Sequence, residues 1–581
     1  MTRREWLALC AMAPVAARGQ GMSRRSVPPA PRGKPSGLPF QAKFTDVAAA
    51  AGLRAPVIYG DAVRKNYLTE TIGCGVAFLD YDRDGWLDIF VLGGSRLEGA
   101  PADSTNRLYK NNRDGTFTDV TDKAGLRKTG WASSVAVGDF NNDGFDDLFV
   151  TYWGQNVLYR NNGDGTFTDV TAKARLATAA ASAPPVWGSG CTFVDYDRNG
   201  LLDLLVAHYV DFDLNAVPKL GEAAACNWKG VPVPCGPRGL PPGGLKLYRN
   251  NGDETFTDVT AASGLIKAKG SYPLTAVAAD FDNDGWPDLY VACDSTASFL
   301  LRNNHDGTFT DIGLESGVAL NGDGMEQAGM GLAIGDYNLD GNLDIFKTHF
   351  CDDTCVLYRN NGKWNFDDVT VTSGLGVETR YTCWGTAMLD LDNDGLPDLF
   401  FATGSIYPEL EAKVPAYPYQ TPRVIFRNLG GGKFEELMDG AGPGVAAAHS
   451  SRGCAFGDFD NDGDVDVVIV NFNEPPSLLR NDVTGGGHWL KVKLEGTKSN
   501  RSAIGATVVA KYGGKKQAQA VLSQGSFFSV NDLRLHFGLG SEKTADLEIR
   551  WPSGAVEQIA AVDGDQLVTV REGSGVVKRG W

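Results

Sequence analysis

The chain has 581 residues and a formal charge of −17, with 71 acids against 54 Lys and Arg, which argues against nucleic acid as a partner. Its length allows more than one domain. Glycine (72) and proline (27) make up about one residue in six, which excludes a mainly helical protein and suits many short strands joined by turns.

At the N-terminus, Arg3 and Arg4 precede a short apolar run, Trp6 to Val15, followed by Ala16 and Ala17. This is the pattern of an export signal and is too short to span a bilayer. Thr2-Arg3-Arg4-Glu5-Trp6-Leu7 resembles a twin-arginine signal, which implies export in the folded state. Residues 1–19 are expected to be that signal, placing the protein in the periplasm, on the cell surface or outside the cell. Residues 20–43, rich in Pro, Arg, Ser and Gly, are expected to be a linker. No other stretch reads as transmembrane.

The chain is organised around a nine-residue loop. Its first copy reads D-Y-D-R-D-G-W-L-D, with Asp80, Asp82, Asp84 and Asp88 at positions 1, 3, 5 and 9 and a glycine at position 6. Alternating oxygen donors around a glycine bend suit one hard cation, and calcium takes 6–8 oxygens in flexible geometry. The opening follows an EF-hand loop, but the last acid stands at 9 rather than 12 and a strand follows instead of a helix. Six further copies put candidate ligands at Asp139, Asn141, Asp143 and Asp147; at Asp195, Asp197, Asn199 and Asp203; at Asp280, Asp282, Asp284 and Asp288; at Asp336, Asn338, Asp340 and Asp344; at Asp390, Asp392, Asp394 and Asp398; and at Asp458, Asp460, Asp462 and Asp466. The ligand positions of these loops hold 25 of the 71 acids, so seven bound dications would bring the charge from −17 to about −3. Up to seven structural Ca2+ ions are therefore expected, with weaker sites where Asn141, Asn199 and Asn338 replace an acid.

Each loop sits in the same grammar of four short strands, as in Val135-Ala136-Val137-Gly138, Leu148-Phe149-Val150, Val157-Leu158-Tyr159-Arg160 and Phe167-Thr168-Asp169-Val170. One such sheet cannot bury both faces alone, so the repeats must stack. The base period is near 56 residues, with insertions at about 210–243 and at Ile406 to Pro422. The chain opens with Phe44-Thr45-Asp46-Val47, a fourth strand lacking its first three, and the seventh repeat ends at its third strand, Ser477-Leu478-Leu479-Arg480. The N-terminal strand can complete the last sheet, which predicts an all-β, seven-bladed propeller over residues 44–485 with no open edge. Residues 486–575 lack the loop and read as a small separate β domain.

Residues 44–485 resemble a calcium-binding propeller of FG-GAP or VCBS-type repeats, related to the integrin alpha-subunit head. Asn500-Arg501-Ser502-Ala503-Ile504-Gly505-Ala506, Gly525-Ser526, Asn531-Asp532, Leu535-His536-Phe537-Gly538-Leu539-Gly540 and Arg550-Trp551-Pro552-Ser553-Gly554 resemble the ASPIC/UnbV domain. The combination is similar to bacterial relatives of cartilage acidic protein 1. The resemblance implies an architecture and a metal and names no ligand.

In related propellers the aspartate loops lie on the lower face. By that geometry Tyr152, His208, Cys293, His349, Thr403 and Asn471 after the second strands, and Trp131, Trp187, Tyr272, Glu326, Gln327, Tyr381, Trp384, His449 and Arg452 before the first strands, could line the opposite mouth of the channel. Two readings follow. One is a binding or adhesion module for a glycan, protein or extracellular surface. The other is an exported enzyme whose acid–base or transition-metal site uses His208, His349 and His449, with Glu326 and Arg452 as further candidates. The plainer alternative for those histidines is separate hydrogen-bonded loop residues in different blades. A purely structural surface component is a third reading, and the oligomeric state is left open. Cys226 with Cys235, and Cys351 with Cys355, are expected as local disulfides.

Overall fold

The computed structural model describes residues 26–177, 185–223 and 226–580; the stretch expected to be an export signal lies outside these. The protein is all-β apart from single helical turns. Seven antiparallel four-stranded sheets each carry an aspartate loop between their first two strands. Blade one comprises Val76–Leu79, Asp88–Val91, Arg107–Asn111 and Phe117–Asp119. Blades two to six begin at Ala132–Gly138, Val186–Val194, Pro273–Ala279, Leu332–Gly335 and Cys383–Leu389. Blade seven is Ser451–Gly457, Asp466–Asn471 and Ser477–Asn481, with Phe44–Asp46 as its fourth strand: Phe44 pairs with Asn481 and Asp46 with Leu479. The first strands pack side by side in sequence, and that of blade seven packs against that of blade one.

Two features of each repeat make the joint between blades. In six of the seven loops position 2 is aromatic and packs on the phenylalanine opening the fourth strand of the next blade, as Tyr81 does on Phe167 (6.1 Å), Tyr196 on Phe309 (6.0 Å) and Phe459 on Phe117 (5.8 Å); loop six has Leu391 there, in one core with Phe44. The carbonyl of the same position 2 accepts from an asparagine ending the next blade's third strand. Asn161, Asn250, Asn303, Asn360, Asn428 and Asn481 donate through Nδ2 to Tyr81, Phe140, Tyr196, Phe281, Tyr337 and Leu391 at 2.8–2.9 Å. Asn111 donates to Phe459 O at 2.8 Å, so the same staple joins blade one to blade seven.

Asparagine suits this place because both ends of its amide are used. In blade four, Asn303 Nδ2 also donates to Pro287 O (3.1 Å), while its Oδ1 accepts from His305 N (2.9 Å). Truncating it to alanine strands buried backbone groups, at a cost of about 3 kcal/mol. The expected result for Asn303→Ala is a lower urea midpoint at unchanged m-value; a midpoint equal to wild type would show that the staple contributes nothing.

Residues 488–579 form two further four-stranded sheets. In one, His488–Glu495 lies between Leu535–Gly540 (antiparallel) and Gln566–Arg571 (parallel). In the other, Thr507–Tyr512 lies between Lys515–Ala520 and Thr544–Arg550. Val492, Val508, Leu547, Trp551 and Val568 from both sheets share a core that continues into Phe149, Phe193 and Leu202 of blades two and three.

The connection 521–534 leaves this domain as a finger and fills the propeller channel. Backbone donors and acceptors of the innermost strands, which would otherwise face the axis, pair with it. Val530 N and O bond to Val76 O (3.0 Å) and Phe78 N (3.1 Å), and Ser526 N and O to Leu332 O (2.7 Å) and N (2.8 Å). Phe528 O accepts from Val135 N (3.2 Å), and Asp532 N donates to Phe456 O (2.8 Å). Ser526 Oγ accepts from Thr386 N (2.9 Å) and Ser523 Oγ from Phe193 N (3.2 Å), so six of the seven blades hold the finger.

The opposite end is filled as well. Tyr67, Leu68 and Ile72, then Phe212, Trp228 and Leu240 of the insertion, then Tyr407 and Leu410, share one core with Phe527 and Phe528 at the fingertip. The Cys226–Cys235 disulfide staples that insertion. Cys351 and Cys355 are free thiols, contrary to the expected pair: Cys351 packs into the core at the channel end, whereas Cys355 packs into the core between blades five and six and meets Cys383 there. The expected linker is also partly packed. Val27 N donates to Asp352 O (2.8 Å), Ala30 N to Gly376 O (2.8 Å) and Ser36 N to Glu435 Oε1 (2.7 Å), so the segment straps blades five and six.

Candidate functional site

The seven aspartate loops share one backbone course. Position 4 is left-handed in every copy (Arg83, Asn142, Arg198, Asn283, Leu339, Asn393 and Asn461, φ 56–61°), and the position 6 glycines also have positive φ. Such a bend is expensive for a residue like Leu339 unless side chains hold it. The position 1 carboxylate does so: Asp80 Oδ1 accepts from Asp84 N (2.9 Å) and Oδ2 from Gly85 N (3.1 Å), and the other six loops repeat the pair. Position 5 caps the N–H of position 7, as Asp284 Oδ1 does for Trp286 N (2.9 Å). The position 9 carboxylate accepts from the staple asparagine's own N–H, as Asp203 Oδ1 does from Asn250 N (2.7 Å).

This course brings carboxylates of positions 1, 3 and 9 together. Asp80/Asp82/Asp88, Asp195/Asp197/Asp203, Asp280/Asp282/Asp288, Asp390/Asp392/Asp398 and Asp458/Asp460/Asp466 each place ligand oxygens within 4.8 Å of one another and could hold a metal ion. Asp82 Oδ1, Asp197 Oδ1 and Asp460 Oδ1 are buried with no hydrogen-bond partner, at equivalent points of three loops. All-oxygen donor sets with orphaned carboxylate oxygens fit a hard cation. Burial pushes the carboxyls of Asp139, Asp195, Asp280 and Asp336 up to about 7, with neighbouring acids adding to the rise and the backbone N–H groups that each accepts from opposing it. In loops two and five, Asn141 and Asn338 use Nδ2 to reach Asp143 (2.8 Å) and Asp340 (3.0 Å), leaving an amide oxygen as the donor. Asn199 stands at position 5, outside the converging trio, so loop three keeps its three carboxylates.

The C-terminal domain sits on this same face and touches all seven loops. Arg534 reaches Gly85 O (3.3 Å), Arg501 N reaches Asn142 Oδ1 (2.9 Å), and Arg198 Nε reaches Pro552 O (2.9 Å). Arg550 bonds Asn283, Ala518 N donates to Asp336 Oδ2 (3.1 Å), and Tyr512 OH donates to Gly395 O (3.3 Å). In loop seven, Lys491 Nζ lies 2.6 Å from Asp458 Oδ2 with both groups buried. Burial raises the Asp458 carboxyl, but the Lys491 ammonium outweighs it, so this position 1 acid sits below its ordinary range.

The five channel-mouth candidates do not converge. His349 Nε2 accepts from Ala328 N (2.7 Å) and lies 3.7 Å from Asp353 Oδ2, while Nδ1 donates to Phe350 O (2.9 Å), so both ring nitrogens are engaged locally. His449 Nδ1 pairs with Glu474 (2.5 Å). His208 lies in the second strand of blade three, and burial pushes its imidazole down to about 4, which keeps it neutral. Glu326 pairs with Arg238 of the insertion (2.7 Å). Arg452 is buried between Trp384 (4.2 Å) and Phe472 (4.0 Å) and donates to Thr71 O (3.0 Å), pinning the 57–73 segment. Among the described residues, the groups able to hold a metal contain no histidine. Trp131, Trp187, Tyr272 and Trp384 are buried, so they pack between elements and present no open aromatic face.

Comparison with known proteins gives matches to two families. Residues 496–577 match the family model "ASPIC and UnbV", and residues 80–150, 139–206, 239–291 and 280–347 match the FG-GAP-like repeat. The chain carries FG-GAP-like repeats and an ASPIC/UnbV domain. It is 25% identical over 389 residues to cartilage acidic protein 1 of Xenopus tropicalis, covering 65% of this chain and 53% of that protein. The human protein of that name is 26% identical over 320 residues, covering 53% and 45%. The chain thus spans about half the length of the curated relatives it matches. Among solved structures, the BP39L lectin of Burkholderia pseudomallei superposes with TM-score 0.44 at 12% identity, covering 72% of this chain and 97% of that one. An Agrocybe aegerita lectin gives 0.38 at 18%, covering 68% and 88%.

The FG-GAP loops announce themselves in sequence, but the staple asparagines and the ASPIC/UnbV finger do not. The asparagines' only sequence signal is their recurrence before each Asn/Gly turn. For the finger, the signal is a polar, serine-rich run between two strands, from Ser523 to Ser529.

Proposed function

We propose that this FG-GAP and ASPIC/UnbV protein is an exported, calcium-stabilised binding module for a glycan, protein or extracellular surface. The orphaned oxygens of Asp82, Asp197 and Asp460 carry the calcium part of this reading. They are buried acceptors without a protein partner, and a cation entering each loop would satisfy them. The binding part is supported by the filled channel and by the channel-mouth histidines, whose roles are local, so recognition falls to the outer surfaces. No helix among the described residues is long and apolar enough to cross a membrane. Probing glycan and protein arrays with the full chain, with and without chelator, tests the reading. Calcium-dependent capture of a defined ligand class is expected, and silence on every array would sink it. In the same material His349→Ala is expected to lower stability and leave ligand capture intact; loss of capture at unchanged stability would return that histidine to the site.

A further inference from the structure

A cavity of about 290 Å³ lies where loops one and two meet the strand His488–Glu495. Asp80, Asp139, Asp143 and Asp146 stand on its propeller wall, and Arg83, Lys493, Arg501, Arg534 and Arg571 also line it. Two of these cations have acid partners: Arg534 Nε is 2.8 Å from Asp532 Oδ2, and Arg571 is 2.9 Å from Glu495 Oε2. The other three form no ion pair among the described residues. Arg83 reaches from loop one towards loop two, its guanidinium 5.5 Å from the centroid of Phe145. Lys493 is half-buried, and Arg501, in the ASPIC/UnbV motif, is exposed at the rim.

With calcium in loops one and two, Asp80, Asp139 and Asp143 face their ions, Asp146 accepts from Ser502 Oγ (2.9 Å), and the five cations still outnumber the three remaining acids, Asp146, Glu495 and Asp532. Guanidinium and ammonium groups gathered around a recess hold oxyanions through short charge-assisted hydrogen bonds. The volume suits a small group and is too small for a folded partner. We propose that this cavity binds a small oxyanion, a phosphate, sulfate or sugar carboxylate, shared by Lys493, Arg501 and Arg83, so that the ligand bridges the propeller to the C-terminal domain. This rests on the calcium reading above, because cation-free loops would leave the wall acidic.

The test is calorimetric titration of the calcium-loaded full chain with sodium phosphate, sodium sulfate and glucuronate in separate runs. Single-site binding of at least one anion is expected, weakened at least tenfold in Lys493→Gln and in Arg501→Gln and unchanged in Arg359→Gln, whose side chain is exposed in blade five. Arg501 is exposed, so its variant keeps the test decisive if Lys493→Gln fails to fold. No binding of any of the three anions, or binding undiminished in Arg501→Gln, overturns the proposal. Calcium content measured on the same samples separates the two readings. Silence with calcium in place overturns the anion site alone, and a chain that takes up no calcium overturns the reading beneath it.

Discussion

Chelating calcium is expected to melt most of the propeller at room temperature and to release the C-terminal domain with it. A ligand present at a hundredfold over its Kd stabilises by about 2.7 kcal/mol per site. Five such carboxylate groups would together supply roughly 13 kcal/mol, the size of a whole domain's stability. The C-terminal domain goes too because it docks on the loops themselves, through contacts such as Ala518 N on Asp336 and Lys491 on Asp458.

The same loops set a pH dependence with opposite signs in the two states. Without calcium, the carboxyls of Asp139, Asp195, Asp280 and Asp336 titrate near 7 when folded, because burial disfavours their charge. When unfolded they titrate near 4. Between those values the folded chain holds protons that the unfolded chain has released, so stability falls as pH rises. Calcium displaces those protons and binds more tightly as they leave, so the loaded chain gains stability over the same window. Thermal scans at pH 5 and pH 7, with calcium and with chelator, check both parts. Identical melting in all four conditions would rule out structural calcium.

The second large effect is expected from a single methyl group. A Cβ on Gly75 would lie 1.8 Å from the carbonyl oxygen of Phe528, backbone against backbone, with no flexible side chain to yield. Phe528 itself sits at φ 58°, a conformation that its neighbours must impose. Gly75→Ala therefore forces the finger away from blade one at a cost of about 3 kcal/mol or more. It also uncovers innermost-strand groups such as Val76 O and Phe78 N. The expected readout is rapid protease cleavage within 521–534 and a lower thermal midpoint. Gly33→Ala, where nothing lies within 4 Å, should match wild type. If the finger stays protected in Gly75→Ala, its docking does not depend on that close approach.

The repeat, its cation loop and the sharing of blade seven between the two chain ends were legible in the sequence by itself because each is local or periodic. Nine residues contain a loop's ligands and its glycine bend, and an unmatched Phe-Thr-Asp strand at one end answers a missing one at the other. The repeat grammar stops near residue 486 for the same reason, since a domain without the loop has a different local pattern. What the residues do away from their own blade was decided only in three dimensions. Asn303 reads as one asparagine of a turn, and its bond to Tyr196 exists only because the preceding blade brings that carbonyl within 2.9 Å. The histidines assigned to one channel mouth from blades three, five and seven suggested a shared site, but each found a nearer partner within hydrogen-bond reach or a buried place of its own. Ser526 and Phe528 lie more than 130 residues from every propeller strand but blade seven's that they could meet. Their place on the axis follows from the need of the innermost strands for hydrogen-bond partners, which no local pattern encodes. Tertiary packing thereby closed the channel that sequence left open and seated the C-terminal domain on the face that carries the seven carboxylate loops.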